Sequence, residues 1–367
     1  MEKYNLSINK LLSTALKCAS SSFAAHLDEE LFSIDFREGL SLGISCDYFI
    51  TGNKENLSLT LSPEMIKRLL SSQADTQVSI NINETTVVFK EGRSKTSFPL
   101  VSEEYNKKAL PTQAISNELH ISAKYLLYAL KRTIFALPKK NTSEPLNNFM
   151  FSANGNKVRI ATSDSFKYAS QLIDCSTTCK EDFSIHSFVM IKLMPLIQNA
   201  IEENEDEEIV FSFYSGIDKM KISSSLFTAI CNYTNSVKLN GETLLSTKMD
   251  YHQINHREFL ETMKRIIPFV STSNTKLNLD FGETDIVKIS YKSASVEIDE
   301  LVSMTSDKSA YREVISLNAS FLNEFAELES EHIKLGIKNN RSPVYIYADN
   351  GFEGLLCPTI TRQGEVI

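Results

Sequence analysis

His252 and His256 stand four residues apart, the spacing at which two imidazoles on one helix face can share a metal ion. Asn255 is placed to start a helix between them, and neither a Glu-x-x-His context nor a third ligand accompanies them, so no metal site is expected. Cys175 and Cys179 have a C-x3-C spacing without a second pair, and Cys18, Cys46, Cys231 and Cys357 are scattered, the pattern of reduced structural thiols. Twelve glycines occur singly and build no phosphate cradle, and no Gly-x-Ser-x-Gly elbow or Asp-rich metal motif is present. The expectation is a protein that is not an enzyme and uses no cofactor.

Phosphate chemistry is a different matter. Segments with helical spacing carry Lys10 and Lys17, Lys67 and Arg68, and Lys124, Lys131 and Arg132 with Lys139 and Lys140 just beyond. Lys192, Arg257, Lys264 and Arg265 lie on others. Such cations neutralise phosphates without reading bases. Against them stands a net charge of -8, which excludes a protein that coats nucleic acid with its whole surface. Any contact with DNA must therefore be confined to a local basic surface. The acidic run 202–208 reads as a solvated loop at a helix end, and Glu324, Glu327, Glu329 and Glu331 make the last helical segment acidic.

The elements that would position these cations come in a unit traceable six times: an alternating strand, a polar cap, a helix of about three turns and three β-rich runs. The first copy has a strand at Tyr4–Ile8, Asn9 as cap and a stripe of Leu11, Leu12, Ala15, Leu16 and Ala19. In the second, Leu57–Leu61 leads through Ser62-Pro63-Glu64 into Met65, Ile66, Leu69 and Leu70, with strands at Val78–Ile82, Thr85–Lys90 and Lys95–Leu100. Ser122 caps the third helix, and strands follow at Phe149–Ala153, Lys157–Thr162 and Lys167–Ile173. The fourth copy runs from Phe183–His186 through a Ser187 cap, with Pro195 predicting a bend or a cost in stability, to Glu208–Tyr214, Lys219–Ser224 and Leu226–Cys231. Leu244–Met249 opens the fifth, where Asn255 and Glu258 have capping-box spacing, ahead of Lys276–Phe281, Ile286–Tyr291 and Ala294–Ile298. Val314–Leu317 opens the sixth, Asn318 caps, and Ile333–Ile337, Val344–Tyr347 and Gly354–Cys357 close it. One helix on so small a sheet is a thin core, so two copies are expected to pack as one domain of about 120 residues.

Local motifs give this pattern a family. Val87–Phe98 resembles the strand, Gly-Arg-Ser turn and returning strand of the bacterial sliding DNA clamp, the beta subunit of DNA polymerase III, followed by an acidic-aromatic stretch at Glu103-Glu104-Tyr105-Asn106. Ser143–Phe151 is similar to its Arg-Pro-hydrophobic-Asn-Gly segment, and Ala161–Ala169 to its Ala-Thr-Asp-Ser-His-Arg-Leu-Ala signature. Leu355-Leu356-Cys357-Pro358-Thr359 resembles the family's terminal strand. Departures are Asn232–Ser236 in place of an aromatic-rich stretch, Phe166 for a histidine, an extra residue at Ser163, and Tyr168 for a leucine.

The resemblance implies an α+β chain of three tandem clamp-type domains, 1–115, 116–243 and 244–367, each of two helix-plus-sheet half-units. It implies a half-ring that dimerises into a closed ring around duplex DNA, with the helical cations named above facing the bore. It also implies an apolar groove for short peptides of DNA polymerase and the clamp loader. The matching positions are Leu146, Thr162, Ser165, Lys167, Tyr168, Asn318, Phe321, Val344, Leu355, Leu356, Pro358 and Thr359. Truncating Tyr168 and Leu355 together is expected to weaken peptide binding without changing folding. With no run of about 18 apolar residues and no signal-peptide order at its start, the chain is expected to be cytoplasmic and not membrane-bound. The competing reading is a clamp-fold paralog, of plasmid or phage type, that binds replication proteins as a regulator.

Overall fold

A computed structural model describes residues 2–7, 32–36, 40–43, 51–52, 77–82, 86–91, 94–99, 111–139, 146–178, 182–225, 227–235, 249–283, 285–306 and 313–359. The helices expected in the first two copies, with Lys10, Lys17, Lys67 and Arg68, lie outside these residues, as does Lys140. In chain order the strands begin with β1 (Glu2–Ser7), β2 (Phe32–Phe36), β3 (Leu40–Gly43), β4 (Thr51–Gly52), β5 (Gln77–Ile82), β6 (Thr86–Glu91), β7 (Ser94–Pro99) and β8 (Ile115–Ser122). Helix α1 (Ala123–Thr133) precedes β9 (Asn148–Asn154), β10 (Lys157–Ser163), β11 (Lys167–Asp174), β12 (Ser176–Thr177) and β13 (Phe183–His186). After α2 (Ser187–Glu203) come β14 (Glu208–Tyr214), β15 (Lys219–Ser223), β16 (Phe227–Asn232), β17 (Thr234–Asn235) and β18 (Asp250–Asn255). Helix α3 (His256–Ile266) leads to β19 (Lys276–Asp280), β20 (Ile286–Lys292), β21 (Glu297–Ser306) and β22 (Val314–Asn318), and α4 (Ala319–Ala326) to β23 (His332–Ile337), β24 (Val344–Ala348) and β25 (Phe352–Leu356).

Capping residues fix where the helices start. Asn255 accepts the Glu258 N–H at 3.2 Å, the cap its position predicts, while its side-chain amide donates to the Glu258 carboxylate at 3.3 Å in place of the backbone half of a capping box. Asn318 accepts the Phe321 N–H at 3.2 Å. At α2 the cap is His186, whose Nδ1 accepts the Phe188 N–H at 3.2 Å, one residue before the expected Ser187. That helix runs unbroken through Pro195, which sits on its exposed side.

Two compact units result, one of residues 1–128, 153–158 and 174–236, the other of 129–152, 159–173 and 237–367. The first contains an antiparallel sheet β1-β5-β6-β7 and a second sheet of order β12-β8-β14-β15-β16-β2-β3-β4. Pairing of Ala229 with Ile34 joins β16 to β2, which were expected in different domains. Phe183, Phe211 and Phe213 are buried in this unit, the Phe183 and Phe213 rings meeting edge-on at 4.9 Å.

In the second unit the strands follow the order β9-β10-β11-β25-β24-β23-β18-β21-β20-β19-β22. Phe259, Met263 and Ile266 of α3 and Leu322, Phe325 and Ala326 of α4 pack with Leu277, Ile289, Ile315, Leu335, Ile346 and Leu356 from the strands. Two strands depart from expectation. The expected strand Leu244–Met249 lies, except for Met249, outside the described residues; the strand that leads into α3 is β18, whose inward residues are His252 and Ile254, a polar-looking face that hydrophobic alternation overlooks. Instead of Ala294–Ile298 the chain forms the ten-residue β21, whose inward Val302 and Met304 follow a charged half.

Gly354 of β25 is where the Phe325 ring closes on the sheet. A Cβ there would strike that ring and lie 3.2 Å from the Tyr168 carbonyl. G354A is therefore expected to cost about 2 kcal/mol through overpacking, read as a lower urea midpoint. An unaltered midpoint would show that Phe325 is not seated there.

Candidate partner-binding surface

The turn between β10 and β11 is built by its own side chains. Asp164 accepts the N–H groups of Phe166 at 3.0 Å and Lys167 at 2.9 Å, while the Ser163 hydroxyl donates to the Lys167 carbonyl at 2.9 Å. Ser165 takes φ of 77°, a left-handed conformation that costs a serine about 1 kcal/mol. The result projects Phe166 into solvent, 61% exposed.

Register then brings the other expected positions to this turn. Strand β11 pairs with β25 so that Lys167 faces Leu356 and Tyr168 faces Leu355. Beyond β25, the Cys357 N–H donates to the Phe166 carbonyl at 2.8 Å and the Thr359 N–H to the Ser316 carbonyl at 2.8 Å. Pro358 thus lies between anchored neighbours. Asn318 starts α4 so that Phe321 sits 6.5 Å from Phe166, ring centre to ring centre.

The twelve expected groove positions do not share one surface. Val344 and Leu356 are buried on the helix side of the sheet. Tyr168 and Leu355 belong to a separate buried cluster with Met150, Ala161 and Tyr345. Thr162 is buried and donates to the Thr133 carbonyl. Lys167 is buried too, its ammonium bonded to Glu324 and 3.8 Å from Asp164. What solvent reaches is Ser165, Asn318, Phe321, Pro358 and Thr359, with Leu146 half-buried at the entry to β9. Phe166, Asp164 and Glu324 complete the site and were not among the expected positions. Phe166 was legible only as a departure from the family's histidine. Burial, and then the Asp164 charge, push the Cys357 thiol up, so it is poorly suited as a nucleophile beside this turn.

The candidate cations separate in the same way. Arg132 is 5% exposed, donates to the carbonyls of Glu329 at 2.8 Å and Asp349 at 3.4 Å, and lies 5.2 Å from the Phe352 ring centre. Lys192 is 8% exposed and sits 5.5 Å from the Phe188 ring. Both are placed inside the protein because their long apolar stems pack there and their charged ends find internal acceptors or ring faces. Lys124, Lys131, Lys139, Arg257, Lys264 and Arg265 are exposed or nearly so. Of these, Lys124 pairs with Glu205 at 2.8 Å, Arg257 with Glu261 at 3.3 Å, Lys139 with Glu324 at 3.4 Å, and Arg265 with both oxygens of Glu300 at 2.8 Å.

The two histidines are engaged separately. His252 contacts the Ser306 hydroxyl at 2.8 Å and the Phe281 ring, and His256 lies between the carbonyls of Ser330 at 2.6 Å and Ala326 at 2.8 Å. Among the described residues no group of three or more His, Cys, Asp or Glu is arranged to hold a metal, and no helix is long and apolar enough to cross a membrane.

Asp349 pins the segment after α4, accepting from the Ser330 hydroxyl at 2.9 Å and the N–H groups of Glu331 at 2.7 Å and His332 at 3.0 Å. Burial opposes its ionisation, yet these donors outweigh burial and hold the carboxyl below the usual carboxylate range. A depressed folded-state pKa contributes stability that is present above the unfolded value of about 3.9 and is lost as pH falls through the folded one. D349N is expected to flatten that acid limb in urea titrations from pH 7 downwards. An acid limb identical to that of the parent protein would contradict the assignment.

No family model matches the sequence, and no curated protein matches it. Solved structures do. The DNA polymerase III beta subunit of Thermotoga maritima has a TM-score of 0.81 at 14% identity, over 98% of this chain and 100% of that one. A DNA polymerase III subunit beta sliding clamp from Pseudomonas aeruginosa bound to griselimycin gives 0.81 at 14%, over 98% and 99%. The DNA polymerase sliding clamp of the same organism gives 0.79 at 15%, again over 98% and 99%. Over nearly its whole length, and at low sequence identity, the chain has the α+β fold of the DNA polymerase III beta-subunit sliding clamps.

Proposed function

We propose that the protein is a DNA sliding clamp. In this reading three tandem domains, 1–115, 116–243 and 244–367, form a half-ring, and two copies close head to tail around duplex DNA. The clamp carries out no bond chemistry. It stays on DNA topologically and tethers a polymerase, so that rebinding is effectively intramolecular and weak phosphate contacts suffice. Exposed Lys124, Lys131, Arg257, Lys264 and Arg265 are its candidate DNA-facing cations, and surface ion pairs of the kind they make exchange readily with phosphate because each is worth little. The polymerase and the clamp loader dock on the surface around Phe166, Phe321 and Pro358. The cytoplasm, where replication takes place, is its proposed location.

The observation that carries this reading is fold likeness that runs the length of both chains, with a TM-score of 0.81. Retention on plasmid tests it. After treatment with the clamp loader of the same host, the protein should stay on nicked circles through a gel-filtration column and run off linearised plasmid. Equal loss from both would contradict the proposal.

One observation favours a second reading, a clamp-fold regulator that binds replication proteins without conferring processivity. Arg132 and Lys192 are buried, which lowers the charge available to phosphate. That reading predicts loss from circles together with retained binding to the polymerase.

A further inference from the structure

Lys167 has no solvent-exposed side-chain surface, so a partner arriving from solvent does not meet its charge. Its ammonium is bonded to the Glu324 carboxylate, lies 3.8 Å from Asp164, and sits 4.7 Å from the Phe321 ring centre and 5.6 Å from that of Phe135. Burial cuts the ammonium off from bulk solvent, so carboxylates and ring faces must supply what solvent otherwise would, and they do so only in a defined geometry. The partners belong to two different elements. Asp164 is the residue that folds the turn presenting Phe166, through the N–H groups of Phe166 and Lys167. Glu324 lies on α4, three residues after Phe321 and on the same face of the helix. One ammonium therefore ties the turn that carries Phe166 to the helix that carries Phe321.

Resting on the docking role given above to those two rings, we propose that Lys167 is a positioning residue for the partner surface. It touches no partner; it fixes where Phe166 stands relative to Phe321. Glu324 shares the task, with Lys139 on its outer side at 3.4 Å. The family-like position is thereby an internal cation, and Phe166 and Phe321 are the rings that solvent reaches beside it.

The chain has no tryptophan, so F166W introduces a single indole whose fluorescence anisotropy reads this turn alone. F166W/K167R, which keeps the charge, should match F166W. F166W/K167M/E324L, which removes both charges and refills the space with apolar atoms, should lose anisotropy towards the value of the urea-unfolded chain while circular dichroism and cooperative unfolding persist. An unchanged anisotropy in that variant overturns the proposal, and so does an equal fall in F166W/K167R. If the triple variant does not fold, F166W/E324Q decides the matter, since it alters one charge at nearly constant shape: a fall supports the positioning role and no fall overturns it. None of these measurements uses DNA or a partner, so their failure is distinguishable from failure of the clamp reading on circular plasmid.

Discussion

E324A is expected to lower the stability of the protein by about 3 kcal/mol, because it leaves the Lys167 ammonium buried with its principal counter-ion gone. The side chain of Lys167 is fully buried and that of Glu324 is 18% exposed, so neither charge can recover its hydration without local opening. Asp164, at 3.8 Å, compensates only in part. Removing both charges is a different experiment. K167M/E324L should cost much less than E324A, since an apolar pair has no desolvation to offset, and the double-mutant cycle of parent, K167M, E324L and K167M/E324L should show a large favourable coupling. Urea unfolding of these proteins and of E324A measures this. If E324A and the double variant were equally destabilised, the pair would not be coupled and the buried bridge would be wrong.

The second large effect falls on Tyr168 and Leu355. The sequence reading places both on a partner groove and expects their truncation to spare the fold. They are instead 7% and 6% exposed, directly opposite each other on β11 and β25, and packed with Met150, Ala161 and Tyr345. Large-to-small changes at such positions remove buried area and leave a cavity. Y168A/L355A should therefore lose about 5 kcal/mol and unfold at a markedly lower urea concentration. The two losses should not add, because the side chains share one cluster. F166A is the better probe of docking, since a 61% exposed ring can be removed with little effect on unfolding. Parent-like stability in Y168A/L355A would contradict the packing described for this face.

These cases show what was legible in the sequence and what was not. Caps were legible, because Asn255 and Asn318 satisfy helix N–H groups through local geometry alone, and both act as predicted. Most strands of the third to sixth copies appear within a residue or two of their expected bounds, since alternation reports a buried face directly. Strand β18 is not legible in the sequence because His252 is an inward residue against the Phe281 ring, and a polar type hides that burial. Burial of charge escaped notice for a related reason. Charged residues are usually exposed, so the sequence alone places Lys167, Arg132 and Lys192 on the surface, and only the fold supplies the Glu324 carboxylate, the backbone carbonyls and the ring faces that surround them. Phe166 was visible in the sequence, but its exposure follows from the Asp164 turn and the left-handed Ser165, which no periodicity announces.

An electron-microscopy map of the protein assembled on primed circular DNA tests the central claim most directly. Two copies closed into a ring, with a central hole that admits a double helix, are the predicted result. A single copy, an arc that stays open, or a hole too narrow for duplex DNA would contradict it.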